Sequence, residues 1–160
     1  MQTPDLFFDP GEPEQPPRGR RLPAPGEGIW AAGDRVTWLA SLILTLSVFM
    51  GWYAGSGVGV KLAVIGWNTG TLGKLVFFIG LAALAIVLLR EAGIELPASL
   101  PDSLVILALG ALATVFVLIR MISIPDDVLP ADGLGIGIWI SLVAALGVIA
   151  GGLLRAVEEL

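Results

Sequence analysis

The chain has 160 residues, of which 56% are hydrophobic and only 14% are charged, and its mean hydropathy is +0.88. Soluble domains carry charge at about a quarter of their positions, so this composition excludes an ordinary water-soluble protein and predicts a membrane protein. The formal net charge of −5 belongs to the amino-terminal tail and the connecting segments, and no nucleic-acid partner is expected.

Reactive side chains are scarce in this sequence. It contains no cysteine and no histidine, which excludes disulfides, thiol nucleophiles, Cys or His zinc sites and imidazole acid-base chemistry. The apolar interiors of the spans identified below contain no Asp or Glu, so the proton relays and cation sites of a coupled transporter are not expected. We therefore predict a protein that is not an enzyme, with no cofactor and no metal site.

Residues 1–28 form a charged, proline-rich segment. It contains seven prolines and few large apolar side chains, so it cannot bury enough surface to offset the entropy of ordering it. We predict a disordered tail, with a docking peptide for a partner as the alternative. The segment does not resemble a secretory signal peptide, because no apolar core follows its basic residues.

Four apolar stretches follow the tail, and each is long enough to cross a hydrocarbon layer of about 30 Å as a helix. The predicted spans lie at about residues 36–54, 73–91, 102–124 and 133–155. The expected fold class is therefore all-α: a polytopic four-transmembrane-helix bundle over residues 29–160. The carboxyl-terminal end RAVEEL, from Arg155 onward, is expected to be short and exposed.

The connection at residues 55–73 has two interpretations of equal weight. Apolar residues alternate between Val58 and Val64 as they do in a strand, and the glycines and Asn68 that follow favour turns, so a short β-hairpin is one interpretation. The other is a re-entrant or interfacial helix that ends near Trp67.

Small residues recur at a spacing of four in the fourth span. Such a spacing forms a flat stripe that lets two helices approach closely, which matters in lipid because burial from water no longer drives association. We predict the tightest helix contact there, within the chain or with a second copy. The glycines that form the stripe are Gly133, Gly137, Gly147 and Gly151.

Arg120 interrupts the third span, where a charge is costly unless it is paired or reaches water. Asp126, Asp127 and Asp132 lie in the next connection, and an ion-pair network between Arg120 and one of them is predicted. A contact to an anion or substrate at the mouth of the bundle is the alternative. The aspartate spacing does not fit an EF-hand calcium loop.

The basic residues predict the orientation in the membrane. With the amino end in the cytoplasm, six of the nine basic residues lie inside, which fits the positive-inside rule. These six are Arg18, Arg20, Arg21, Arg35, Arg90 and Arg155. Both termini are then cytoplasmic and the protein is a multi-pass protein of the cell membrane. Aromatic residues are expected as anchors at the two interfaces: Trp30 and Trp38 on the inner side, and Trp52, Tyr53, Trp67 and Trp139 on the outer side.

Four motifs carry a resemblance over residues 29–155: GDRVTW before the first span, FMGWY at its end, GWNTG in the first outer connection and VLIRMISIPDD at the end of the third span. With these motifs the chain resembles a group of short four-span membrane proteins, frequent in actinobacteria, that have no assigned activity. The resemblance brings no catalytic or binding residue with it. The layout of the connections is also similar to the claudin-like tetraspans, but the paired cysteines and the Gly-Leu-Trp signature are missing, so adhesion is not inferred.

These observations predict a structural or interaction protein of the membrane, such as an accessory subunit of a larger membrane assembly. Its expected partners are the lipid bilayer and another protein or a second copy of the chain. The alternative function is a small transporter or channel component. A continuous polar cavity lined by Arg120, Asn68 or the hydroxyls of the spans would favour that alternative, and a dry core would remove it.

Overall fold

The computed structural model describes residues 32–57, 60–94, 101–124 and 131–158. The tail at residues 1–28, Trp30, Asp126 and Asp127 lie outside the described residues. Four α-helices occur within the described part of the chain: α1 (Ala32–Ser47), α2 (Thr71–Glu91), α3 (Asp102–Ile122) and α4 (Ile136–Glu158).

Three of these helices are long and apolar enough to cross a membrane. They are α2, α3 and α4, with 21, 21 and 23 residues. Helix α1 has 16 residues, which corresponds to a length of about 24 Å. The helices lie where the apolar runs of the sequence lie, because a long uncharged run satisfies its backbone hydrogen bonds within one helix.

A small sheet accompanies the helices. Strand β1 (Gly51–Gly57) pairs antiparallel with β2 (Val60–Ile65) on one side and with β3 (Ala131–Leu134) on the other. The strand order is therefore β2-β1-β3. A short 3-10 helix, Gly66–Thr69, connects β2 to α2.

The sheet corrects the expected all-α fold in two places. The first span was predicted to continue to residue 54, but α1 ends at Ser47 and the chain enters β1 at Gly51. The fourth span was predicted to begin at Gly133, but that residue lies in β3 and α4 begins at Ile136. Of the two interpretations of residues 55–73, the pairing of β1 with β2 agrees with the strand interpretation.

The helices alternate in direction, so the molecule has two distinct ends. Helix α1 packs on α2 and α4, and α3 packs on the same two helices. One end, which we call the charged end, contains the start of α1 and α3 and the end of α2 and α4. The other, which we call the sheet end, carries the three strands and the 3-10 helix.

The core is mainly apolar, with buried polar side chains on its α1 side, and it closes at the sheet end on an indole ring. Leu44, Ile106, Val117 and Val148 are fully buried between the helices. Trp52 of β1 is also fully buried, and its indole Nε1 donates to the carbonyl of Ser47 at 3.0 Å.

Candidate functional site

A cluster of four charged side chains lies at the charged end, with one member from each helix. The two terminal nitrogens of Arg155 in α4 donate to different carboxylates: Nη1 to Oδ1 of Asp34 at 3.1 Å, and Nη2 to Oδ2 of Asp102 at 2.9 Å. Arg90 in α2 places its Nη1 3.6 Å from the same Oδ1 of Asp34. The cluster therefore links all four helices, and its formal charges cancel.

The centre of this cluster is removed from water. The side chains of Arg155 and Asp34 are only 3% and 5% exposed, whereas Asp102 is 17% and Arg90 is 38% exposed. A charge in such a place is costly unless it is paired and hydrogen-bonded. The double contact of Arg155 satisfies this condition, because a planar guanidinium can donate to two carboxylates at once.

Each member of the cluster also suits the end of its own helix. Asp34 and Asp102 lie in the first turns of α1 and α3, and Arg90 and Arg155 lie in the last turns of α2 and α4. Acidic groups are favoured at helix amino termini and basic groups at carboxyl termini, because of the helix dipole. The alternating helices bring these four ends together, so opposite charges become neighbours.

Close backbone contact lets the cluster form. A Cβ on Gly33 would lie 2.9 Å from the backbone nitrogen of Arg155, so only glycine allows α1 and α4 to meet at this point. The amide of Gly33 also donates to Oε1 of Glu158 at 3.4 Å. The last turns of α4 therefore hold the first turn of α1 through Arg155, Glu158 and the backbone.

This arrangement is suited to holding helices together. Arginine stays charged at any physiological pH, and the guanidinium of Arg155 is divided between two carboxylates. The cluster is a structural connection between four helix ends.

Sequence reasoning missed this cluster. Arg155 was expected in a short exposed end, but it is 2% exposed. The signal was present in the helix ends: an acidic residue begins α1 and α3, and an arginine ends α2 and α4. Helices that alternate in direction must place those four ends on one side.

The predicted glycine stripe lies partly against α1. A Cβ on Gly147 would lie 3.0 Å from the Cβ of Ala40, and a Cβ on Gly151 would overlap the hydroxyl oxygen of Thr37. At the start of α4, a Cβ on Gly137 would lie 2.8 Å from the carbonyl oxygen of Gly51. These three glycines allow α1 and its extension into β1 to approach α4.

Gly133 is not part of this contact. It lies in β3, pairs with Ala54 of β1, and has open space where a Cβ would be. Two glycines that the stripe did not include, one in α3 and one in α4, make the close contacts between these two helices. A Cβ on Gly110 of α3 would lie 2.9 Å from the backbone nitrogen of Ile149, and one on Gly152 would lie 3.1 Å from that of Leu107.

Arg120 lies in the last turn of α3 at the sheet end. Its backbone carbonyl accepts a hydrogen bond from the hydroxyl of Tyr53 at 2.7 Å. Burial raises the pKa of the Tyr53 phenol, and the positive charge of Arg120 opposes this rise. The predicted ion pairs of Arg120 with Asp126, Asp127 and Asp132 stay predictions, because those carboxylates lie outside the described side chains.

The predicted aromatic anchors differ in their exposure to solvent and in their contacts. Trp52 and Tyr53 are buried in the sheet rather than placed at the end of a helix, and Trp38 is half-buried in α1. Trp139 in the first turn of α4 is half exposed. Trp67 stacks on Phe49 at 6.0 Å between ring centroids and meets Phe77 edge-on at 5.3 Å.

Most buried hydroxyls of the helices bond to the backbone of their own helix. Thr37 donates to Gly33, Thr45 donates to Ser41, and Ser141 donates to Gly137, each to a carbonyl one turn earlier. Two hydroxyls also join α1 to α4, since the oxygens of Ser47 and Ser141 are 2.7 Å apart. The Oγ of Ser41 is buried and has no hydrogen-bond partner within the described part of the chain.

Comparison with known proteins adds no family to this description. No protein-family model matches the chain, and neither a curated protein nor a solved structure matches it. The resemblance to short actinobacterial four-span proteins therefore stays a prediction.

Proposed function

We propose that this protein is an integral membrane protein whose four helices all cross the bilayer, and that its role is structural or interactive rather than enzymatic. The observation that carries the proposal is the distribution of side chains on α1, the one helix too short to count as a span by length. Five of its polar residues face the interior of the molecule, and three of its large apolar residues, Leu39, Ile43 and Leu46, face outward.

The inner face of α1 is polar. Five of its buried residues carry a carboxyl or hydroxyl group. In water such a helix would bury its apolar side chains and expose its polar ones. The observed order is the reverse and suits a helix surrounded by lipid, where polar groups are paired inside the protein. The buried polar residues are Asp34, Thr37, Ser41, Thr45 and Ser47.

The outer face of α1 is apolar from Leu39 to the end of the helix and beyond it. Leu39, Ile43, Leu46 and Phe49 are each between 45% and 55% exposed, at spacings of three and four residues. Met50 continues this surface to the start of β1. The apolar face therefore continues past the end of the helix, and local thinning of the bilayer accommodates the remaining mismatch at a small cost.

The charged end is proposed to face the cytoplasm. Arg35 and the two arginines of the cluster lie at this end, and the sequence places Arg18, Arg20 and Arg21 just before it. An excess of basic residues favours the cytoplasmic side. Both termini would then be cytoplasmic in the cell membrane, and the sheet end would lie outside.

The paired interior supports a structural role over transport. The hydroxyls of Thr37, Thr45 and Ser141 are used by the backbone of their own helices, and glycine contacts close the space between α1 and α4. Asn68 is exposed on the 3-10 helix rather than inside the bundle. A transporter would instead need polar side chains that face a shared water-filled path.

The sheet end supports the interaction part of the proposal. Within the described residues, β2 and β3 each pair with β1 on one side only, so each offers a strand edge. Backbone groups at such an edge can pair with another chain. We therefore propose that the protein is an accessory subunit, or a self-associating one, that contacts a partner through the end opposite the charged cluster.

Mass determination of the protein extracted in mild detergent tests this proposal. We expect an assembly heavier than one chain, and we expect it to revert to one chain in denaturing detergent. A single chain without a partner, at protein concentrations like those in its membrane, would contradict the interaction role. Extraction of the protein from membranes by plain buffer would contradict the membrane assignment itself.

A further inference from the structure

We propose that the sheet end binds the phosphate of an anionic glycerophospholipid at Arg120, with the acyl chains lying along the outer surfaces of α2 and α3. This inference rests on the proposed membrane insertion and adds a specific ligand to it. The juxtaposition that carries it is a half-buried guanidinium against the amino terminus of α2, with no described carboxylate beside it.

The guanidinium of Arg120 lies against Gly70, the residue before α2. A Cβ on Gly70 would be 3.0 Å from Nη2 of Arg120. The Nε of Arg120 is buried without a hydrogen-bond partner among the described residues, and the ion pairs found in those residues all lie at the charged end. A guanidinium has five N–H donors, so this one has donors left for an acceptor from outside the described chain.

The start of α2 adds positive character at the same place. Gly70 has φ 99° and provides no side-chain cap, and the first turn of α2 contains no acidic residue. The amino terminus of a helix carries partial positive charge, and the guanidinium of Arg120 lies beside this one. The guanidinium and the positive end of the helix repel each other, and an anion placed between them is attracted to both.

A second basic side chain stands one turn away. The Nζ of Lys74 lies 5.7 Å from the centre of the Trp67 ring, and Lys74 lies in the first turn of α2, at the sheet end of the molecule. Arginine and lysine together offer a forked donor and a point charge, a combination that suits a phosphodiester.

The apolar surface beside this cationic site suits acyl chains. Leu75 and Phe78 of α2 are 38% and 56% exposed, and Ile119 and Ile122 of α3 are 43% and 86% exposed. These residues flank Gly70 and Arg120 along the two helices. A soluble anion would use only the cationic groups, whereas a phospholipid uses both the cationic groups and this surface, so the phospholipid is the ligand that fits.

Native mass spectrometry of the detergent-purified protein tests the site. The probes are phosphatidylglycerol, phosphatidylcholine and inorganic phosphate, and the variant is Arg120→Gln. One basic group near a membrane surface contributes about 1 kcal/mol, so the variant should bind phosphatidylglycerol about fivefold more weakly than the wild type. Arg35→Gln is the matched control, because Arg35 is an exposed arginine at the opposite end, and we expect no change from it.

Each outcome decides between sources of the anion. Equal binding of phosphatidylglycerol by the wild type and Arg120→Gln would overturn the proposal, as would full displacement of the lipid by inorganic phosphate. Phosphatidylcholine should bind more weakly than phosphatidylglycerol, because its choline group cancels the charge.

The same measurements distinguish a membrane protein that lacks this lipid site from a protein that does not lie in the membrane. A protein that lies outside membranes would stay monodisperse without detergent and retain no lipid in any variant. A membrane protein without this site would retain phosphatidylglycerol equally in the wild type, Arg120→Gln and Arg35→Gln. Unfolding of Arg120→Gln is checked by its thermal transition, and Arg120→Lys, which keeps the charge, should recover part of the binding.

Discussion

Arg155 and Asp34 are 121 residues apart in the chain, yet the guanidinium of one donates to the carboxylate of the other at 3.1 Å in a site that is almost fully buried. Asp102 accepts the second arm of the same guanidinium. The carboxyl-terminal turns of α4 therefore hold the starts of α1 and α3 in register. Loss of this one side chain would leave two carboxylates without their partner.

Arg155→Met should destabilise the folded protein by about 3 to 5 kcal/mol, because breaking a buried ion pair leaves uncompensated charge. Unfolding in mixed micelles with increasing denaturing detergent measures the change. Arg35→Met is the control, since the side chain at position 35 is exposed, and a surface change of this kind is usually within about 0.5 kcal/mol. The triple variant Arg155→Met, Asp34→Asn, Asp102→Asn should recover much of the loss, and a triple variant as unstable as the single one would contradict this account.

Gly151→Ala should weaken the contact between α1 and α4. The added methyl group would overlap the hydroxyl of Thr37 and lie 2.8 Å from its backbone nitrogen, and overpacking of this kind costs about 1 to 3 kcal/mol. Gly133→Ala is the matched change at a position with open space, and it should leave the thermal midpoint nearly unchanged. Equal effects of the two substitutions would show that the glycine contact does not decide stability.

Ser41→Ala should stabilise the protein. The hydroxyl of Ser41 is fully buried and has no partner in the described residues, and an unsatisfied buried group costs about 1 to 3 kcal/mol. Ser47→Ala should have the opposite effect, because the hydroxyl of Ser47 donates to the carbonyl of Leu44 at 2.7 Å and its oxygen lies 2.7 Å from that of Ser141. The free energies of unfolding of the two variants should therefore lie on opposite sides of the wild-type value.

Tyr53 is the single tyrosine of the chain, so an absorbance titration reports its ionisation alone. Burial raises its pKa and the charge of Arg120 opposes the rise, so tyrosinate should appear at higher pH than in free tyrosine. Arg120→Gln removes the opposing charge and should raise the pKa of Tyr53 further. A pKa of Tyr53 that falls in Arg120→Gln would contradict the placement of this guanidinium near the phenol.

The sequence was sufficient to predict the positions of α2, α3 and α4. Their apolar runs are long, and the helix ends lie close to the predicted ones at residues 73–91, 102–124 and 133–155. A helix in such a run closes its own hydrogen bonds, so distant parts of the chain do not decide its existence. Local pattern was therefore enough for these three elements.

The strands could not be predicted in the same way. The residues around Trp52 continue the apolar run of α1, but they pair with two strands of the sheet. Strand β2 follows directly in the chain, whereas the four residues of β3 lie far along it. Pairing over that distance overrides the local apolar pattern. The same reason explains why Gly133 was assigned to a helix although it lies in β3.

Prediction of the charge cluster requires the directions of the four helices as well as the identities of the charged residues. Arg90 and Arg155 were both placed on one side of the membrane from the sequence, but Asp34 and Asp102 were not considered with them. Each of the four is an ordinary charge at a helix end when viewed alone. Only the packing of α1 and α3 on α2 and α4 turns them into a single buried site.

In the proposed arrangement, lipid surrounds all four helices, including the short α1. Cysteine accessibility in intact cells or sealed vesicles tests this arrangement directly. The chain has no native cysteine, so single cysteines at Ala32, Leu39 and Ala54 report on the start of α1, its outer face and β1. With a membrane-impermeant maleimide, we predict that the cysteine at position 32 reacts only from the cytoplasmic side and the one at position 54 only from the outside. The one at position 39 should react from neither side. Reaction of positions 32 and 54 from the same side, or free reaction at position 39, would contradict the account.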